Sequence, residues 1–165
     1  MSSAADPMSP ESIQRLIADV RRAFHLIDPE AASRPVESGN VRRLLEMYEA
    51  VGRSDFVGVV ERMTDDVVMT ITGTPGHPFN GRWVGRAAVL EAMGRNFAMV
   101  DEQEVQIVSV VAQGETVIVI ARERGRYRPS GEPYEGEWAQ VFGFRGGRLE
   151  ALREIFSVPN PPGER

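Results

Sequence analysis

The chain has no cysteine. That excludes disulfides, thiolate nucleophiles and cysteine-ligated zinc. It has two histidines, His25 and His77, far apart in sequence. A metal centre would need them together with carboxylates, which is a poor basis for zinc, so neither metal nor cofactor is expected. Positive charge is not in excess: 19 basic residues stand against 24 acidic ones, a net charge of −5. Indiscriminate nucleic-acid binding depends on the opposite balance. No run approaches the ~20 apolar residues of a membrane helix. The opening MSSAADPMSPES lacks the basic-then-apolar order of a secretory signal. There are no internal repeats and no low-complexity tract. These absences leave a soluble, cytoplasmic protein as the expectation, with neither nucleic acid nor membrane as a partner.

What is present suits one domain with a real core: 165 residues, 42% hydrophobic and 26% charged. Residues 1–10 are small and polar and read as disordered. Ser9 and Pro10 start a helix whose apolar stripe is Ile13, Leu16, Ile17, Val20, Phe24 and Ile27, and Asp28-Pro29 ends it. Residues 30–39 read as a linker. The segment 1–39 is thus a tail, a helical extension and a connection to the main domain, residues 40–158. Residues 159–165 form a flexible end. Within the domain, Asn40 is expected to cap a second helix that stops at Gly52, and Ser54-Asp55 to start a third. A strand follows over Val67–Thr72, then a loop from Gly73 to Gly81 and a helix near Gly85–Val100. Strands over Val105–Ala112 and Glu115–Arg128 precede a final hairpin. Helices first, then strands, argue α+β with helices on one face of a curved antiparallel sheet.

The hairpin, Tyr134 to Ser157, organises the rest. Period-two alternation places Trp138, Gln140, Phe142 and Phe144 on one face of its first strand, and Leu152, Glu154 and Phe156 on one face of its second. Gly146-Gly147 supplies the positive φ angles of a short turn. Gln140 and Glu154 therefore each interrupt an apolar row. A polar group in such a row must be hydrogen-bonded or line a cavity.

Three blocks, LLxxYEAxxRSDFxxVxxxMTDDVVM, PFNGRWVGRAAV and VFGFRGGRLEALREIFS, resemble the SnoaL-like branch of the nuclear transport factor 2-like superfamily. Ketosteroid isomerases, limonene epoxide hydrolases and polyketide cyclases belong there. The resemblance covers about residues 40–158. It implies a cone: a bent sheet wrapped around a deep pocket and plugged by helices. It also implies a hydrophobic small-molecule ligand and a homodimer formed through the open sheet surface.

By that resemblance Glu154 matches the carboxylate that epoxide hydrolases use beside an arginine, and Arg124 matches the arginine. Where those enzymes carry a second carboxylate, this chain has Arg126. Alternation gives Arg122, Arg124 and Arg126 one face of their strand and Glu123 the other. A carboxylate in an apolar row should titrate high, which suits a general acid or base. A buried pair with Arg124 would oppose that rise. Gln140 matches the oxyanion-hole acid of the isomerases, and Tyr48 lies near their oxyanion tyrosine. Their general base would fall near Ile71, where no residue accepts a proton at neutral pH. His77, in a loop expected at the pocket mouth, and Trp83, Phe97, Trp138, Phe142 and Phe156 are candidate ligand contacts. Three readings stay open: a cofactor-independent enzyme with Glu154, Arg124 and Gln140 at its centre, a non-catalytic binding domain, and a dimeric interaction protein.

Overall fold

Ser9 opens the first helix by accepting the Ser12 N–H on its hydroxyl at 3.1 Å, the ordinary N-cap contact. This computed structural model describes residues 8–27, 30 and 33–162. Of residues 1–10, expected to be disordered, Met8 is instead buried, Ser9 caps the helix and Pro10 begins it; residues 1–7, the side chain of Ile27, the Asp28-Pro29 stop and the last three residues lie outside the described residues. Helix α1 spans Pro10–Ile27. Its stripe of Ile13, Leu16, Ile17, Val20 and Phe24 is buried. Burying one such side chain stabilises by about 1.5–3 kcal/mol relative to leaving it in water. Five of them dock α1 firmly on the domain. The helix lies against strand β3 (Val100–Gln113) and helix α2 (Pro35–Gly52). Gly52 of α2 allows the approach: a Cβ there would sit 2.6 Å from Cγ1 of Ile13.

Helix α2 runs Pro35–Gly52. It begins five residues earlier than the Asn40 cap expected from sequence. Pro35 at the helix start is preorganised for the first turn. Asn40 is buried within the helix, and its amide donates to the Gly114 carbonyl at 3.4 Å. It ties α2 to a strand turn instead of capping. Helix α3, Phe56–Glu61, is capped by Asp55, which accepts the Gly58 N–H at 2.9 Å.

Strand β1 (Met63–Thr72) is followed by β2 (Gly81–Val84), helix α4 (Arg86–Phe97) and strands β3 (Val100–Gln113), β4 (Thr116–Tyr127), β5 (Pro133–Arg145) and β6 (Arg148–Ser157). The four-residue β2 had no counterpart in the sequence reading. It is too short for alternation to register, and it forms by pairing with β1. One sheet results, ordered β2-β1-β6-β5-β4-β3. It is antiparallel except where β1 runs parallel to β6. The sheet is curved and unclosed. β3 bulges between Asp101 and Glu104, where Glu102 has φ 53°, and again between Ile107 and Ser109. Such bulges bend a strand and add twist. Gly146 and Gly147, at φ 57° and 78°, make the β5–β6 turn.

The curvature gives the sheet distinct faces. Val117, Val119 and Ala121 of β4, Trp138 and Phe142 of β5 and Phe156 of β6 are buried on the inner face. The helices cover that face without filling it. No described helix is long and apolar enough to cross a membrane.

Candidate functional site

A cavity of about 180 Å³ lies between the helices and the inner face of the sheet. Each of the four described helices contributes: Leu16 from α1, Tyr48 from α2, Val59 from α3 and Asn96 from α4. The walls are mainly apolar, with Phe97, Trp138, Phe142 and Phe156 among them. A wider groove of about 680 Å³ runs outside, between α1 and the strands. Two exposed ion pairs lie along it, Arg122 with Glu137 at 2.9 Å and Arg124 with Glu104 at 2.6 Å. That is a solvated charged surface. The inner cavity is the candidate site because its polar groups are few, sheltered and convergent.

Two carboxylates enter it from the sheet. The first is Glu154. Register sets Gln140 of β5 directly opposite Glu154 of β6. The Gln140 amide donates from Nε2 to Oε2 of Glu154 at 2.6 Å, and its carbonyl accepts the Tyr48 hydroxyl at 2.8 Å. Tyr48 is held edge-on to Phe142, with ring centroids 6.2 Å apart. The chain of donors runs Tyr48 to Gln140 to Glu154. Burial pushes the Glu154 carboxyl up from 4.5 to about 7; the Gln140 hydrogen bond pulls the other way, and the charge of Glu123 adds to the rise. Desolvation wins because one neutral donor does not replace the water a carboxylate loses. Burial, with Glu154 nearby, also raises the Tyr48 hydroxyl well above its usual value.

The second carboxylate, Glu123, was missed in the sequence reading. Oε1 accepts from the Tyr134 hydroxyl at 2.6 Å and from Gln103 Nε2 at 2.8 Å, and Oε2 accepts from Trp138 Nε1 at 2.8 Å. Three donors thus converge on one carboxylate and fix its orientation. The signal was available: Val117, Val119 and Ala121 form an apolar row that Glu123 continues, the same pattern that singled out Glu154. Gly125 makes room for the arrangement, since a Cβ there would sit 2.6 Å from the Tyr134 hydroxyl oxygen.

Arg124 corrects the expectation of a pair with Glu154. It occupies the outer face, bonded to Glu104 through Nε at 3.1 Å and Nη2 at 2.6 Å. One residue along a strand reverses the side chain's face, so Glu123 inside forces Arg124 outside. Arg126 is likewise outside, with Glu102 at 3.0 Å. His77 is not at an open mouth and is not among the cavity's lining residues. It is buried, with Nδ1 accepting the Phe79 N–H and Nε2 at 3.2 Å from the Tyr127 hydroxyl. That hydroxyl in turn donates to the Pro159 carbonyl at 2.5 Å. Burial lowers the His77 pKa. The residue fastens the loop to the chain end, and Asn160 adds a bond to the Pro75 carbonyl at 3.1 Å. Trp83 also lies away from the cavity, under the Arg95 guanidinium at 5.5 Å. Tyr48, Phe97, Trp138, Gln140, Phe142, Glu154 and Phe156 do line the cavity.

The donor set suits no metal: among the described residues no three His, Cys, Asp or Glu side chains group together. The chain contains no lysine, so it cannot form a Schiff base through one. The arrangement can move a proton at Glu154 Oε1, the oxygen with no protein hydrogen bond among the described residues.

The SnoaL-like domain family matches residues 44–152. No curated protein matches the sequence. Among solved structures, an NTF2-like protein from Burkholderia xenovorans is similar, with 24% identity, a TM-score of 0.62, and coverage of 72% of this chain and 89% of that one. A candidate isomerase from Rhodopseudomonas palustris shows 22% identity and a TM-score of 0.60, over 71% of this chain and 88% of that one. A protein of ketosteroid isomerase-like fold from Catenulispora acidiphila, in complex with trimethylamine, shows 17% identity and a TM-score of 0.53, over 63% and 76%. These likenesses show that the fold is that of NTF2-like proteins, and the match across most of the domain shows the family: the chain belongs to the SnoaL-like domain family.

Proposed function

We propose that the protein is a cofactor-independent acid–base enzyme acting on a hydrophobic, oxygenated small molecule held in the inner cavity. Glu154 moves the proton. The observation that carries this reading is a carboxyl raised to about 7 inside an apolar cavity, with Oε1 free of hydrogen bonds from the described residues. A general acid or base works best when it titrates near the working pH. Gln140 and Tyr48 position Glu154: the Tyr48 hydroxyl is given to the Gln140 carbonyl, and one Gln140 N–H to the carboxylate. They support proton transfer better than a separate oxyanion hole. With Arg124 outside, a carboxylate–arginine relay for epoxide opening has no support. Isomerisation or elimination, in which one carboxyl takes a proton and returns it, fits better.

The test is α-proton exchange of cyclohexanone in D2O, followed by proton NMR. The wild-type protein should accelerate exchange, with activity rising through about pH 7. Glu154→Gln keeps the shape and removes the titrating proton, and should lower the rate by roughly 10²–10⁴-fold. Equal exchange by the two proteins would exclude Glu154 as the acid or base. A non-catalytic binding domain is the second reading. It gains if the ketone binds both proteins and neither accelerates exchange.

The same proposal includes a homodimer formed through the outer face of the sheet. Val108, Val111, Ile120 and Ile155 are exposed there, and Ile120, Ala139 and Ile155 stand side by side on adjacent strands. A clustered apolar sheet face of this kind is a common site of association.

A further inference from the structure

Most of the cavity's hydrogen-bond donors are committed within the protein. Its donors with identified partners all point into the protein: Tyr48 to Gln140, Gln140 to Glu154, and Tyr134, Trp138 and Gln103 to Glu123. Glu154 Oε1 stays open, an acceptor with no protein hydrogen bond among the described residues. A ligand that brings an N–H or O–H donor completes it.

Charge points the same way. Two carboxylates line the cavity, and none of its described lining residues is arginine or histidine. The other titratable groups facing it are the hydroxyls of Tyr48 and Tyr134. An anionic ligand would meet repulsion with no counter-charge. A cation would meet the carboxylates and the faces of Trp138, Phe142 and Phe156, which attract positive charge through their quadrupoles.

We propose that the cavity selects a compact hydrophobic ligand bearing a protonated amine, with an ammonium N–H directed at Glu154, and that it rejects carboxylates and phosphates. This rests on the inner cavity being the ligand site, as proposed above, and narrows which molecules enter it. On binding, the ammonium holds Glu154 ionised. A protein in which Glu154 is partly protonated then releases a proton to solvent.

The test uses three probes of one shape: cyclohexylamine, cyclohexanol and cyclohexanecarboxylate, titrated calorimetrically at pH 7. The amine should bind at least about tenfold more tightly than the alcohol, and the carboxylate weakest. Glu154→Gln should narrow the difference between amine and alcohol. Titration in two buffers of different ionisation heat should show net proton release with the amine and none with the alcohol. An alcohol that binds as tightly as the amine, a carboxylate that binds tightest, binding by none of the three, or amine binding without proton release overturns the proposal. Leu152→Trp, which fills the cavity, separates the two readings. If the alcohol binds best and Leu152→Trp abolishes its binding, the cavity remains the ligand site and the preference for a cation is wrong.

Discussion

Gln140 and Glu154 oppose each other across β5 and β6, with the amide nitrogen 2.6 Å from the carboxylate oxygen. That bond is the main influence holding the Glu154 carboxyl down against burial. Gln140→Leu removes it and leaves a similar volume. The Glu154 midpoint should then rise above about 7. Carboxyl-carbon NMR titration of the labelled side chain reads it directly. A midpoint that stays put or falls would show that Gln140 does not set the acidity of Glu154.

Stability should respond to pH through two buried groups of opposite sign. Unfolded, Glu154 titrates near 4.5; folded, near 7. Between those values the folded state binds more protons, so stability falls as pH rises through that window and is level above it. At about 1.4 kcal/mol per pH unit, the ionised form carries a penalty of about 3 kcal/mol above pH 7. Glu154→Gln should remove that slope and stabilise the protein there. His77 acts oppositely. Its folded pKa lies below 6.5, so its contribution is present above 6.5 and lost as pH falls through the folded value. His77→Gln should flatten that acid-side loss. Urea unfolding from pH 4 to 8 distinguishes the two. A Glu154→Gln profile parallel to wild type would contradict the raised carboxyl.

Ile120 is 41% exposed and Ile155 49% exposed on the outer sheet face, with Ala139 between them. If this face pairs two copies, sedimentation of the wild type should give twice the chain mass of 18.3 kDa. Ile120→Arg should return a single-chain mass without lowering the thermal midpoint of the monomer. A wild type that sediments as one chain removes the pairing proposal.

The hairpin was legible from its residues. Alternation is local, and Gly146-Gly147 leaves little choice of turn, so the shared face of Gln140 and Glu154 followed from sequence. The family blocks implied the curved sheet for the same reason: they keep apolar periodicity and breakers in order. Local pattern also separated Glu123 from the arginines beside it. It did not say which of the two faces looks inward. Only the sheet's curvature and the helices packed against it decide that, and they placed Glu123 in the cavity and Arg124 in solvent. His77 shows the same limit: a histidine between prolines reads as a surface loop until Tyr127, Phe79 and the chain end close over it. Which side chains share a face is determined by the geometry of consecutive peptides. Which face is sheltered, and so which carboxyl loses its water and titrates near neutrality, depends on contacts between residues distant in the chain, and only the tertiary structure supplied them.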